Sequence, residues 1–395
     1  MRRAALIALL LAARPALAQS APAGAPAGDP SPVPAQPGHA APAPGAPPAA
    51  GPPPAQGAVP RAPRPHPRRW FLIPVLSYLP ETGLGGGASA GLHLPVEGAR
   101  RPTSLFATAL YTAEHQGLLD LAVESARPGG AVLAARGRAL HFPDRYYGIG
   151  PGTTSAQVER FTRRSIELSA TAELPVPLLA GLRAGPRVEL RAEEITDRQA
   201  GGQLAAGAVP GAHGSSYGAG GISVTWDTRD GTFWPSRGSL VQAWAVYAPA
   251  ATSRLGELAH GSIELRHFIP LGGGRVLGLH AYGEQAGGET PFTVLPRLGN
   301  TRILRGIREG RYRDRVSWAT QSELRSPLWW RFSWTAFAAV GNVAPRPRAI
   351  RLDDPKLAGG AGLRYRLTEE GANIRMDVAA SRFGVQLYVL VLEAF

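Results

Sequence analysis

Gly384-Val385-Gln386-Leu387-Tyr388-Val389-Leu390-Val391-Leu392-Glu393-Ala394-Phe395 decides the fold. The segment reads as a strand, carries no charge except Glu393, and stops at an aromatic residue. At the other end, Arg2 and Arg3 precede the apolar run Ala4 to Ala13 and the small-residue site Ala16-Leu17-Ala18. That is the grammar of a secretory signal, over residues 1–18. Its apolar stretch is too short to span a bilayer, and Arg14 and Pro15 interrupt it. A secreted chain with no other long apolar run, ending in an aromatic strand, reads as a transmembrane β-barrel. A closed barrel is the non-helical way to satisfy every backbone polar group inside lipid.

Working inward from the two ends, residues 19–68 are rich in Pro, Ala and Gly and hold almost no apolar side chain larger than Ala. Such a tract cannot bury a core and reads as a disordered, partly polyproline-II periplasmic linker. From Arg69 to Phe395 the texture changes to short segments that alternate polar and apolar between Gly, Pro and Asp turns. Ile166, Leu168 and Ala170 alternate with Glu167, Ser169 and Thr171. Ile374, Met376 and Val378 alternate with Asn373, Arg375 and Asp377, and Leu363, Tyr365 and Leu367 with Arg364 and Arg366. Period two means one dry face and one wet face. Full charges on the wet face fit a polar lumen, with lipid on the other side. A soluble β-sandwich accounts less well for the signal and the terminal aromatic.

The segments number about 16, an even count within the bacterial range. The expected fold is therefore an all-β antiparallel barrel in the bacterial outer membrane with both termini periplasmic. Long outer loops are expected at Pro143 to Arg163, Thr196 to Ser215 and Gly287 to Arg315. Trp70, Trp329, Trp330, Trp334 and Tyr388 lie near segment ends, where aromatic girdles sit.

The formal charge of +13 is dispersed over strands that also carry acids, such as Arg187, Glu189 and Arg191. It forms no basic stripe, so nucleic acid is not expected as a partner. A cationic lumen or contact with outer-membrane lipid accounts for it. The 0 Cys exclude a disulfide, a thiolate metal site and a lipoprotein anchor. No catalytic set emerges: Ser262, Glu264 and His267 share a segment, but Ser262 and His267 face opposite sides of a strand. Neither a metal nor a cofactor is expected, and the chain does not read as an enzyme.

Two stretches exceed generic barrel texture. Val224 to Gly238 runs from a strand through Asp227-Thr228-Arg229-Asp230, then Phe233-Trp234-Pro235-Ser236-Arg237-Gly238. It reads as a rigid periplasmic turn, in which Asp side chains cap amides, Pro235 fixes its own φ and Gly238 permits a positive φ. Leu298 to Arg315 carries Leu304-Arg305-Gly306-Ile307 in the sixth outer loop, and Gln321-Ser322-Glu323 follows on the twelfth strand. Gln321 and Glu323 are two apart and share a face.

Together these stretches resemble the barrel of the BamA/TamA outer-membrane assembly-factor family, the bacterial surface antigen proteins. The matches extend to Tyr146-Tyr147-Gly148-Ile149-Gly150 and Gly360-Ala361-Gly362-Leu363-Arg364-Tyr365, and cover essentially residues 69–395. The resemblance implies that the sixth loop folds back into the lumen and that Arg305 grips acids on the inner wall. It also implies that Phe395 ends an assembly signal. Assistance in inserting or translocating outer-membrane proteins follows as the implied activity, with unfolded clients and separate periplasmic factors as partners. The alternative is a passive pore or structural barrel.

Three departures stand out. Ile307 replaces the usual aromatic. Ala339 stands where an Asp is common, which leaves the Arg305 contact resting on Glu323. Residues 19–68 are too short and Pro-rich for a periplasmic POTRA module.

Overall fold

The computed structural model describes residues 69–97, 102–367, 373–391 and 394–395. The expected signal (1–18), the linker (19–68) and Glu393 lie outside the described residues. The chain forms a closed antiparallel barrel of sixteen strands. The first eight are β1 (Arg69–Leu79), β2 (Gly83–Leu94), β3 (Thr103–Thr112), β4 (Gly117–Ala126), β5 (Val132–Tyr146), β6 (Glu159–Pro175), β7 (Leu182–Thr196) and β8 (Gly214–Asp227). The second eight are β9 (Gly238–Ala248), β10 (Leu258–Gly272), β11 (Arg275–Gly288), β12 (Val316–Trp329), β13 (Phe332–Ala344), β14 (Lys356–Arg366), β15 (Asn373–Ser381) and β16 (Gly384–Val391). Each strand pairs with its sequence neighbours, and β16 meets β1.

The alternation read from the sequence sorts the two faces. On β15, Asn373, Arg375 and Asp377 are buried while Ile374, Met376 and Val378 are exposed. Leu72 is 64% exposed and Val385 72%, whereas Arg305, Arg325 and Asp377 are 0% exposed. A water-soluble protein does the reverse. Apolar outside and charged inside is the arrangement of a transmembrane barrel.

An even strand count puts the start of β1 and the end of β16 at one end of the barrel, here called the terminal end. Trp70, Trp329 and Trp330 are 75%, 63% and 71% exposed there, as a membrane-edge girdle requires. Trp334 is half-buried on β13. Tyr388 departs from that expectation. It is 1% exposed, because its position on β16 has the inward parity.

The long connections all lie at the opposite, loop end. The β5–β6 connection covers only 147–158, because pairing continues past the expected boundary: Pro143 sits opposite Thr162 and Tyr146 opposite Glu159. The β7–β8 and β11–β12 connections cover 197–213 and 289–315. The β7–β8 and β11–β12 loops pack with the ends of β5, β6 and β7 in an apolar cluster of Tyr146, Phe161, Ile195, Leu204, Val209, Ala212 and Phe292.

Candidate functional site: a buried loop tip inside the barrel

The β11–β12 loop turns back into the lumen. Its two arms pair with each other, Arg297 opposite Arg313 and Leu298 opposite Tyr312. On the returning arm, Arg313 lies against the rings of Tyr146 and Phe292, 5.4 and 5.5 Å from their centroids. Its carbonyl accepts from Gly150 N–H at 2.8 Å. Thus the Tyr146–Gly150 motif holds the base of the loop. Burial lowers the Arg313 pKa to about 10.

The tip is Leu304-Arg305-Gly306-Ile307, and all four residues are buried. Leu304 and Ile307 pack with Leu298, Ile303, Tyr312, Ala319, Ala339 and Val343. Leu304 and Gly306 have positive φ, 55° and 105°. At Gly306 this backbone favours glycine, and an added Cβ would stand 3.2 Å from the Ala380 carbonyl. The close approach has a purpose. Gly306 N–H donates to Tyr388 Oη at 2.8 Å, and its carbonyl accepts from Ser381 Oγ at 2.5 Å.

Arg305 reaches across the lumen with both arms of its fork engaged. One Nη donates to Glu323 on β12 and the other to Asp377 on β15 at 2.6 Å. Its guanidinium lies 3.5 Å from the centroid of the Phe337 ring on β13. Each carboxylate has a further guanidinium. Arg325 Nε donates to Glu323 at 3.0 Å, and Arg364 Nη1 donates to Asp377 at 2.6 Å. A buried charge is tolerated only when paired and hydrogen-bonded. Here β12, β14 and β15 supply the pairing, and the planar fork of Arg suits two separate carboxylates.

Sequence reasoning missed Asp377. With Ala339 on β13, the sequence points to Glu323 as the main partner of Arg305. The second acid instead comes from β15. Ala339 is left as apolar wall against Leu304. Gln321 Nε2 donates to the Arg302 carbonyl at 3.3 Å, so it holds the approach to the tip rather than Arg305 itself. Arg302 donates to Glu264 at 2.7 Å, on a carboxylate oxygen that also accepts from His280 and Arg266. Beyond the tip, Glu309 N–H donates to Glu81 Oε1 at 3.1 Å, in the β1–β2 turn.

The β8–β9 turn lies at the terminal end. Asp227 accepts from Arg229 N at 3.1 Å and Nε at 3.0 Å, and Asp230 accepts from Ser236 N at 2.9 Å. Pro235 is buried, Gly238 has φ 96°, and Arg237 is exposed. The turn carries Trp234 to 5.3 Å from the Arg325 guanidinium. Phe395 is also inside. Its ring lies 4.8 Å from His280 and 6.1 Å from Phe268, and its carbonyl accepts from Arg325 Nη2 at 2.7 Å. Among the described residues, no group of three His, Cys, Asp or Glu could hold a metal ion.

A closed sixteen-stranded barrel, apolar outside and charged inside, with its eleventh connection folded inward onto an Arg–carboxylate network, is a transmembrane barrel with a built-in luminal loop. Solved structures share this fold. BamA from Haemophilus ducreyi lacking POTRA domains 1–3 matches with TM-score 0.57 and 11% identity, over 82% of this chain and 70% of that one. CdiB from Acinetobacter baumannii matches with TM-score 0.53 and 11% identity, over 82% of this chain and 59% of that one. The chain therefore has the fold of the BamA- and CdiB-type barrels. No protein-family model matches the sequence, and no curated protein does.

Proposed function

We propose that the protein is an outer-membrane barrel of the BamA/TamA type that helps insert or translocate other outer-membrane proteins. Both termini then face the periplasm, and the incoming strand pairs at the seam between β1 and β16. The observation that carries this reading is the seam. Among the described residues a single ladder pair, Tyr78 opposite Val389, joins the two strands. On its other side β1 pairs with β2 along its whole length, from Arg69 opposite His93 to Leu79 opposite Gly83. A strand edge with unsatisfied backbone groups is a template for β-augmentation. A short seam would also ease local thinning of the bilayer.

The partners under this reading are membrane lipid, unfolded barrel clients and separate periplasmic factors, and no catalysis is assigned. The test is the abundance of other outer-membrane proteins after deletion of the gene. The proposal expects a subset of barrels to fall, and an unchanged outer-membrane proteome would sink it. The second reading, a passive pore, is disfavoured by the loop tip lodged inside the lumen and by the apolar cluster that the β7–β8 and β11–β12 loops form at the loop end. Steady conductance of the wild-type chain in planar bilayers would favour the pore.

A further inference from the structure

Near the loop end of the barrel two arginines stand directly opposite each other, Arg145 on β5 against Arg160 on β6. Like charges in opposed positions of a ladder repel. Both side chains are exposed, and both face outward, because the next pair along, Tyr146 and Glu159, is buried on the luminal side. Arg164 has the same outward parity on β6, is exposed, and lies opposite His141. Arg163, of the other parity, turns inward to Glu167 at 3.9 Å. Among the described residues none of the three outward guanidiniums makes an ion pair, although Glu194 stands opposite Arg164 in the ladder with β7. Asp144 and Gln199 accept from the backbone N–H of Arg145 and Arg160, at 2.7 and 3.2 Å, and leave the charges unmatched.

Beside this basic rim the outer face of β2–β5 is sunken. Gly86, Ala88, Ala109, Gly117, Leu119 and Ala139 line a shallow depression of about 700 Å³. One row of opposed residues runs from it to the rim: Gly86, Tyr111, Gly117, His141 and Arg164. The backbone does not require the two glycines, since neither has a positive φ. Packing does not require them either. A Cβ on Gly86 would meet nothing within 4 Å, and one on Gly117 would make ordinary contacts at 3.9 Å with His141 and Tyr111. By contrast, a Cβ on Gly91 would lie 2.2 Å from the Phe71 ring. Nor does Tyr111 cover Gly86; its hydroxyl lies 3.1 Å from His115 Nδ1 in the β3–β4 turn. Glycine weakens a strand interior and often marks a place where another molecule comes close. On the membrane face that molecule is lipid.

We propose that this surface binds a lipid with an anionic phosphate headgroup, its phosphate held by Arg145, Arg160 and Arg164 and one acyl chain seated in the depression of Gly86, Ala109, Gly117 and Ala139. A phosphate between Arg145 and Arg160 replaces their repulsion with two charge-assisted hydrogen bonds, and the guanidinium fork matches its oxygens. The long Arg stems lie along apolar surface while their heads reach headgroup level. A zwitterionic headgroup brings its own cation to the same rim and is the poorer ligand. The site needs only a membrane-facing outer wall, so it stands whether or not the protein inserts clients.

The test is native mass spectrometry of the full chain in neutral detergent, titrated with phosphatidylglycerol or phosphatidylcholine. Heat-modifiable migration shows that each variant has folded. The wild type should hold phosphatidylglycerol at least about tenfold more tightly than phosphatidylcholine. Arg145→Gln with Arg160→Gln should weaken phosphatidylglycerol binding about tenfold. Gly86→Leu and, separately, Ala109→Leu fill the depression with the arginines intact and should each weaken it at least about threefold. Arg346→Gln with Arg348→Gln removes the same charge from the exposed β13–β14 loop and should change it less than about twofold. Equal affinity for the two lipids overturns the proposal, as does an equal loss in the loop control. Unchanged affinity in the folded filling variants removes the acyl seat and overturns it too. Displacement of the lipid by inorganic phosphate would make the ligand a soluble anion and also overturn it.

Discussion

Between β12 and β13 the ladder runs from Val316 opposite Ala344 to Trp329 opposite Phe332. Between β16 and β1, among the described residues, it is one pair. Both are antiparallel joints of the same barrel, yet they are held by different means. The β12–β15 wall is backed from inside by Arg305, Glu323, Asp377 and Arg364. The seam is spanned from inside by the loop, whose Gly306 is bonded to Tyr388 and Ser381 on one side and whose Glu309 is bonded to Glu81 on the other. The difference teaches that loop and ladder need not loosen together. The loop's charged anchor lies on the wall, and its seam contacts are neutral or single hydrogen bonds.

The largest expected effect breaks the wall side. Arg305→Ala leaves two buried carboxylates short of a partner and should destabilise the folded barrel by about 3–5 kcal/mol, less where lumen water enters. Urea titration of the heat-modifiable band measures it, and a loss under about 1 kcal/mol would mean that the wall stands without the loop. Asp377→Asn keeps the shape but removes the charge shared by Arg305 and Arg364. It should cost about 1–3 kcal/mol in the same titration.

On the seam side the effects shrink. Tyr388→Phe removes the acceptor of a buried Gly306 N–H and should cost about 1 kcal/mol. Its sharper readout is faster proteolysis of the loop. Glu81 gives the smallest effect and a pH signature. Burial raises its pKa, opposed by the hydrogen bond from Glu309 N–H. A raised folded pKa supports folding in acid, below the ordinary carboxylate value near ~4.3. That support is lost as pH rises through the folded pKa. Glu81→Gln should therefore be slightly more stable than wild type at neutral pH, and the gain should vanish on acidification. A gain that grows in acid would contradict the assignment.

The wall was legible from the sequence because lipid outside and charge inside impose period two. Ile374, Met376 and Val378 against Asn373, Arg375 and Asp377 announce β15 without help. Loop boundaries were less legible, because strands pair beyond the lipid: Pro143 to Tyr146 look like loop and are ladder. The site divides in the same way. Arg305, Gln321 and Glu323 lie close in sequence and share one motif context. Asp377 lies far along the chain and looks like any lumen-facing acid. Only barrel closure brings β15 beside the loop tip. Tyr388 had the correct parity for the lumen but was read as girdle because it lies near a segment end. Phe395 was read as the end of a strand, and no local signal tells that its ring finds a gap at Gly278.

The central claim is that one guanidinium joins the loop to two strands of the wall. The most direct test is a double-mutant cycle of Arg305→Ala and Asp377→Ala on the refolded barrel, read by urea titration. The account predicts strong coupling: once Arg305 is gone, removing Asp377 should cost less than half of what it costs in the wild type, the remainder being its bond to Arg364. Equal costs in the two backgrounds, so that the double variant loses the sum of the singles, would contradict it.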